Sequence, residues 1–357
     1  MTLWSDRPQT EVVGQLTPVS ADLRAALFKG PFVPESHDAL FDGLPALRQI
    51  EAGGRQPSRG SLATSARLIF WNVERLRHLE AIAGHLKTHR PDVVLLSEVD
   101  RGMARTGNTD RVAILSERLQ MGFLYAVEFV ELGLGDVHEQ RDHAGEVNAA
   151  GFHGAAILSD LALQAPALIR IERRGEWFGL DRDEPRVGST IALLAFVAVA
   201  GEPVLMVNVH LESHCDPQTR AVDMRNILQM VEGLAPAGRV VMGGDFNTST
   251  ISYAERLANP RVLIEALERD PMRLMRPEPH EPLFAEAQAM GYDWKACNVA
   301  EQPTTRRPAG SPRPPAKIDW VFTRGLVVSD PMILPAVLPD GTPASDHEGL
   351  MLTVAPD

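Results

Sequence analysis

The sequence predicts an α+β fold in which two mainly antiparallel sheets pack face to face and helices cover the outside. Short apolar strand-like runs recur from Ala66 onward, several following one another directly, while helical periodicity is confined to a few stretches. Several of the runs also end in an acid, an amide or an imidazole, as strands do when their ends meet in a polar cleft.

Residues 1–60 lack this strand pattern and read as an N-terminal appendage packed on a main domain spanning 61–357. Within the appendage Ser20 is a candidate N-cap for a helix beginning Ala21-Asp-Leu-Arg, and the Gly, Pro and Ser of 51–60 suggest a linker. Strands are expected at 67–72, 92–99, 123–130, 155–159, 190–199, 203–211, 239–246, 318–323 and 349–354, and helices at 75–88, 110–121, 218–234 and 252–267. The polar stretches 131–150 and 270–316 read as loops. The second ends in a Pro-rich run bearing Arg306, Arg307 and Arg313, either a solvated loop or a cationic lip beside an anionic substrate.

A composition of 44% hydrophobic and 23% charged residues is that of a globular chain with a substantial core. Lys and Arg total 35 against 47 Asp and Glu, a net charge of −12, which opposes general attraction to long nucleic acid but leaves room for a local basic groove. Cys215 and Cys297 stand far apart without a Cys-x-x-Cys spacing, so neither a disulfide framework nor a structural zinc site is indicated. The N-terminus has no secretory pattern and no apolar stretch long enough to span a bilayer, so a cytoplasmic enzyme is expected.

The polar strand ends share one chemistry. Hydrolysis of a phosphate ester needs a cation to neutralise charge, an oriented water, and donors for the non-bridging oxygens. Glu98 closes an apolar strand and is a hard oxygen ligand of the kind magnesium or manganese takes, though a strand-terminal surface acid would look the same. Asn72 and Glu74, two apart, would share a strand face and could complete a metal's shell with an amide oxygen and a carboxylate. Asp245 and Asn247 repeat the spacing after Gly243 and Gly244. An Asp to orient or deprotonate water and an Asn to donate to phosphoryl oxygens divide the work coherently, and an Asx turn is the structural alternative. His210 ends another apolar strand, as a catalyst or as a hydrogen-bonded structural residue. Asp319 interrupts the buried-looking Ile-Asp-Trp-Val-Phe, where an unpaired carboxylate is costly, and His347 of Ser345-Asp346-His347 is its natural partner.

Taken in order, Trp71-Asn-Val-Glu, Leu95-Leu-Ser-Glu, Val209-His-Leu, Gly244-Asp-Phe-Asn, Ile318-Asp-Trp-Val-Phe and Ser345-Asp-His resemble the motifs of the endonuclease/exonuclease/phosphatase superfamily over about residues 66–355. The resemblance implies a four-layer αββα sandwich with a magnesium-dependent site at one end. It implies Asn72, Glu74 and Glu98 around the metal with Asp346 close to its shell, His210 near the phosphate, Asp245 on the water, Asn247 on the phosphoryl group, and an Asp319–His347 dyad. In Gly151-Phe-His-Gly-Ala-Ala-Ile-Leu-Ser, Ala155 stands where the family often has Asn, a polar contact that Asn148 or His153 would supply. Arg220 matches a recurrent arginine expected at the cleft. The expected function is hydrolysis of phosphate esters by a magnesium-dependent phosphodiesterase. The alternatives are a nuclease on DNA or RNA and, in another class, a non-catalytic binding protein on the same fold.

Overall fold

The computed structural model describes residues 7–172, 175–179, 184–307, 311, 314–338 and 340–357. The strands are β1 (Glu11–Val13), β2 (Gln49–Gly54), β3 (Ala66–Arg75), β4 (Val93–Arg101), β5 (Gly122–Glu131), β6 (Phe152–Ser159), β7 (Gln164–Arg170), β8 (Arg186–Gly188), β9 (Ile191–Val199), β10 (Glu202–His210), β11 (Arg239–Asp245), β12 (Asp319–Arg324), β13 (Leu326–Leu334) and β14 (Gly349–Pro356). The larger sheet runs β1-β2-β5-β6-β4-β3-β14-β13, with β8 on β5, and the smaller β12-β11-β10-β9-β7. The pairs β1–β2, β3–β4 and β10–β11 are parallel and the other pairings antiparallel.

Strand periodicity sorts the side chains into layers. On β3, Leu68 and Phe70 enter an inter-sheet core with Leu95, Ile157, Leu193, Met206 and Val241. Their neighbours Ile69, Trp71 and Val73 face a second core closed by helices α3 (Leu79–His89) and α4 (Arg111–Leu119). A third core lies outside the smaller sheet, where α6 (Pro217–Leu234) and α9 (Leu283–Ala289) cover Leu205, Val207, Met242 and Phe322. Helix, sheet, sheet and helix make the four-layer αββα sandwich.

Several boundaries depart from the sequence expectation. The helix expected from 75 starts at Leu79, because Glu74, Arg75 and Leu76 all adopt positive φ (43°, 63° and 54°) in a left-handed turn. The helix expected over 252–267 is two, α7 (Tyr253–Ala258) and α8 (Val262–Arg269), broken at Asn259-Pro260 where proline lacks the N–H a helix needs. The stretches expected as loops contain α5 (Val137–Asp142), opened by an Asp136/Glu139 capping box, and α9. Strands β1, β2, β7, β8 and β13 lack apolar alternation and were not expected. β13 is an exposed edge strand containing Pro331.

The expected linker is corrected over Glu51–Gly54. These residues belong to β2, which pairs with β5 because the buried Glu51 and Gln49 have partners: Leu16 N–H donates to Glu51 (2.7 Å), Arg101 pairs with Glu51 (2.6 Å) and Thr17 N–H donates to Gln49 (2.9 Å). Farther along, Arg59 is tied to Asp92 (2.9 Å) and Asp160. Helix α1 (Ala21–Leu27) is capped by Ser20, whose Oγ accepts from Leu23 N (3.2 Å), and Leu16, Val19 and Leu47, with Phe41 of α2 (Pro34–Gly43), are buried in the outer core of the larger sheet.

Candidate active site

Strand register performs the first step of assembly. His210 stands opposite Asp245 in the parallel β10–β11 pair, and Asp245 opposite Asp319 in the antiparallel β11–β12 pair, so three polar strand ends form one row. The Gly-Gly before Asp245 is required by space. A Cβ on Gly243 would lie 2.7 Å from the Phe70 ring, and Gly244, at φ +135°, would place one 2.1 Å from the Val209 carbonyl oxygen.

Two further acids arrive by β-bulges. The register of β4 shifts between Leu96 and Val99 and that of β5 between Val127 and Phe129, and the residues released from the ladders include Glu98 (φ 55°) and Glu128. A bulge re-aims a side chain out of the strict alternation of a strand, which lets both carboxylates leave apolar strands for the cleft end. Ser345-Asp346-His347 is bolted to β3: Ser345 Oγ donates to the Asn72 carbonyl (2.7 Å) and Trp71 Nε1 donates to the His347 carbonyl (2.9 Å).

The result is two histidine–carboxylate pairs facing one acid. His347 Nδ1 lies 2.8 Å from Asp319 Oδ2, and His210 Nδ1 lies 3.1 Å from Glu128 Oε2. The outer nitrogens of both rings approach Asp245 Oδ2, at 3.8 Å for His347 and 4.0 Å for His210. Burial alone would disfavour the imidazolium forms. At His210 the Glu128 charge and hydrogen bond, with Asp245 and Glu98, outweigh it and push the pKa up to about 10; at His347 the charges of Asp319, Asp346 and Asp245 raise it likewise. Asp245 is pushed up to about 6 by burial and then by Asp319, against the two histidines. Glu98, although partly buried, is held down at about 2 chiefly by Arg75, then by His153, His210 and an Asn72 hydrogen bond.

His210, His347, Asp245 and Glu98 line a cleft of about 250 Å³ together with Arg75, His153, Asn247, Arg307 and Asp346, while Asp319 and Glu128 stand behind the two histidines. Ionised Glu98 and the half-exposed Asp346 suit a hard divalent cation by their oxygen donors. A second possible cation cluster, Asp245, Asp319 and His347, has ligand atoms within 4.8 Å of one another. Both Asp319 oxygens lie within 3.1 Å of His347 Nδ1, so this cluster is better occupied as a hydrogen-bonded dyad.

The structure changes several expected placements. Asn72 turns its amide nitrogen, not its oxygen, to the acids, donating to Glu98 Oε1 (2.9 Å) and Asp245 Oδ2 (3.2 Å), while its oxygen accepts from Glu74 N. Because of the left-handed turn Glu74 does not line the cleft; its carboxylate accepts from Asp346 N (3.1 Å) and braces that loop. Asp245 Oδ1 accepts from Asn247 N (2.8 Å), so the Asx turn and the cleft position coexist. Asn148 is buried away from the cleft, accepting from Ala104 N and donating to the Gly133 carbonyl. Arg220 is fully buried against Glu281 (2.6 Å) and likewise does not reach the cleft. His153 lines it but is held by Asp100 (2.9 Å), and Ala155 belongs to the inter-sheet core. Of the arginine-rich run, Arg307 reaches the cleft and Arg313 lies outside the described residues.

Sequence reasoning missed Glu128, whose signal was an acid inside the apolar run Ala126-Val-Glu-Phe-Val. It also missed the ion-pair network behind Arg75 and Glu184 of the cleft lining. There Arg105, its side chain 1% exposed, pairs with Asp100 (2.8 Å), Glu139 (2.9 Å) and Glu184 (2.7 Å), and Arg75 pairs with Glu184 (2.7 Å) and lies 3.5 Å from Glu98.

A family profile described as the Endonuclease/Exonuclease/phosphatase family matches residues 69–347, from β3 to the His347 loop. The chain belongs to this family. Members of the endonuclease/exonuclease/phosphatase family are in general phosphoesterases or nucleases that use divalent metals. Solved structures share the fold at low identity. The human Nocturnin catalytic domain with bound sulfate is 16% identical, with a TM-score of 0.52 over 83% of this chain and 95% of its own. D. rerio TDP2 complexed with a single-strand DNA product is 17% identical, with a TM-score of 0.50 over 81% and 98%. A functionally unknown conserved protein from Enterococcus faecalis is 16% identical, with a TM-score of 0.51 over 82% and 100%. No curated protein matches the chain. No helix among the described residues is long and apolar enough to cross a membrane.

Proposed function

We propose that this chain is a metal-dependent phosphodiesterase, working with magnesium or manganese and hydrolysing its substrate by water attack on phosphorus. The observation that carries this reading is the convergence of two carboxylate-locked histidines on Asp245 at the floor of one cleft. Glu98 and Asp346 would hold the cation, with Asn72 orienting Glu98 and Glu74 bracing the Asp346 loop. When bound, the cation neutralises phosphate charge. Asp245, with its pKa near 6, is ionised at neutral pH and more basic than an ordinary carboxylate, which suits it to take the proton of an attacking water. His210 and His347 are cationic donors at their outer nitrogens. Asn247 gives one amide N–H to the Leu211 carbonyl (2.8 Å) and has another for a phosphoryl oxygen.

The catalytic unit in this proposal is residues 61–357, with the first 60 residues packed on it and lending β2 to its larger sheet. Two unbridged, buried cysteines fit a reducing cytoplasmic setting. The second reading, a nuclease, draws on the TDP2 relative solved with a DNA product, and the net charge of −12 weighs against a long polyanion. A non-catalytic binding protein is disfavoured because both dyads and Asp245 are intact.

The test is hydrolysis of bis(p-nitrophenyl) phosphate, p-nitrophenyl phosphate, plasmid DNA and RNA by chelator-treated protein before and after adding magnesium or manganese. Metal-dependent turnover of the diester is expected, with Glu98→Gln folded and only partly rescued by excess magnesium. Full activity in chelator would overturn the metal requirement, a monoester preference the diesterase assignment, and turnover of nucleic acid alone would favour the nuclease.

A further inference from the structure

Beyond Asn247 the catalytic cleft opens into a second cavity of about 340 Å³, and Ser213, Asn247, Arg307 and Ile318 line both. The two spaces differ in chemistry. The cleft sets Glu98, Glu184, Glu212, Asp245 and Asp346 among Arg75, Arg186 and Arg307, whereas the described lining of the second cavity holds Arg256 and Arg307 and no acid. Arg307 lies 3.8 Å from Asp346 and Arg256 lies 5.7 Å over the centroid of the Tyr253 ring, so both guanidinium groups are held at this wall. The rest of its wall is mixed, an apolar side from Tyr253, Leu263, Leu274 and Ile318 facing polar Ser213, His214 and Ser249.

The aromatic part of this wall is held in place before anything binds. Tyr253 opens α7, where Ser252 and Glu255 form a capping box. The His214 ring packs edge-on to Tyr253 at 4.0 Å between centroids and to Trp177 at 4.1 Å. Glu212 ties this ladder to the catalytic strand, accepting from Trp177 Nε1 (2.9 Å) and from His214 N (2.9 Å) two residues after His210. Arg220, absent from the cleft, has its use here: it bonds the Cys215 carbonyl (3.2 Å) and Glu281, and Glu281 accepts from Thr250 N (2.7 Å), which joins the loops bearing His214 and Asn247.

We propose that the second cavity is the subsite for an aromatic ring, of nucleobase or aryl size, carried on the scissile phosphodiester; this rests on the phosphodiesterase reading. A fixed phenol ring beside leucine side chains offers flat apolar area at little entropic cost, and arginines favour both π faces and the phosphate that the ring carries. Arg307, at the junction of the two spaces, stands where phosphate and ring would join. An aliphatic chain would satisfy the leucines but gain nothing from the tyrosine face or the guanidinium groups.

The experiment is calorimetric binding, with magnesium present, of dimethyl, hexyl methyl, phenyl methyl and thymidine 5′-methyl phosphates to the Asp245→Asn protein. It is paired with turnover of thymidine 5′-(p-nitrophenyl phosphate) and methyl p-nitrophenyl phosphate by the unmodified chain. The ring-bearing diesters are expected to bind about tenfold tighter than dimethyl phosphate, the effect of one ring stacked on an aromatic side chain. Tyr253→Ala, Tyr253→Leu and Leu263→Glu should each bring that ratio toward one. Either ring satisfies the proposal, and the tighter of the two names its source. A hexyl ester as tight as the phenyl ester, or a ratio untouched by all three substitutions, would overturn it. Absence of turnover on both substrates would defeat the phosphodiesterase reading, while the binding ratio would still decide the subsite.

Discussion

Two parts of the cleft use similar residue types to opposite ends. On the wall built from β10, β11, β12 and the His347 loop, each histidine spends one ring nitrogen on a carboxylate and turns the other toward Asp245, which stays 3.8 Å or more away. Elsewhere on the cleft Arg75 and Glu184 bind each other and, behind the surface, Arg105 joins Glu184 to Asp100 and Glu139. Buried charge saturated by its own neighbours is scaffold; buried charge with an open valence toward the cleft is available for chemistry.

The most severe test of this contrast is Asp245→Asn. Loss of a general base should lower kcat by about a hundredfold to ten-thousandfold, while thermal stability holds or rises, because burial already disfavours the ionised carboxylate. A fall in Tm with turnover retained would place Asp245 with the scaffold. Arg105→Leu should do the reverse. It leaves Asp100, Glu139 and Glu184 without a shared buried cation, at a cost of roughly 3–5 kcal/mol read by urea unfolding, and turnover per folded molecule should change far less than in Asp245→Asn.

A smaller effect sharpens the dyads. If Asp319 works through His347, then Asp319→Asn combined with His347→Ala should be scarcely slower than the worse single variant. Multiplicative losses in kcat would show two independent roles. The mildest expected change is at Glu212. Burial alone would raise its pKa, but the His214 side chain and N–H, with the Trp177 donor, outweigh it and hold the carboxyl at about 2. A folded value below the unfolded one stabilises the protein above the unfolded pKa, and that stabilisation is lost as pH falls toward 2. Glu212→Gln should therefore flatten the acid side of the stability curve, measured by urea unfolding at successive pH values. An unchanged slope would remove Glu212 from the ladder it is argued to hold.

How far the sequence could be read follows from where each residue lies along its strand. Asp245, Asp319 and His347 were legible because each is a polar residue at the end of, or just before, an apolar run, and strand ends are where a sandwich opens. Strands such as β2 and β13 were not, since their residues satisfy partners across the sheet or face outward rather than alternate. Glu128 sits within a run that a regular strand would bury, and only the bulge at Val127/Phe129 brings it to His210, 82 residues away. Arg220 and Asn148 misled for the converse reason: a charged or amide side chain near a motif looks available until its partners, Glu281, Ala104 N and the Gly133 carbonyl, are placed around it.

By itself, then, the sequence determined the layered sandwich and the identity of the acids, amide and imidazoles at its open end, because apolar period and strand-end polarity are local properties of the chain. Tertiary structure alone decided which of those groups keep a free valence. Register, bulges and long-range pairing bring residues far apart in sequence within hydrogen-bonding distance, and at that range the nearest partner, not the residue type, fixes whether a buried charge is scaffold or chemistry.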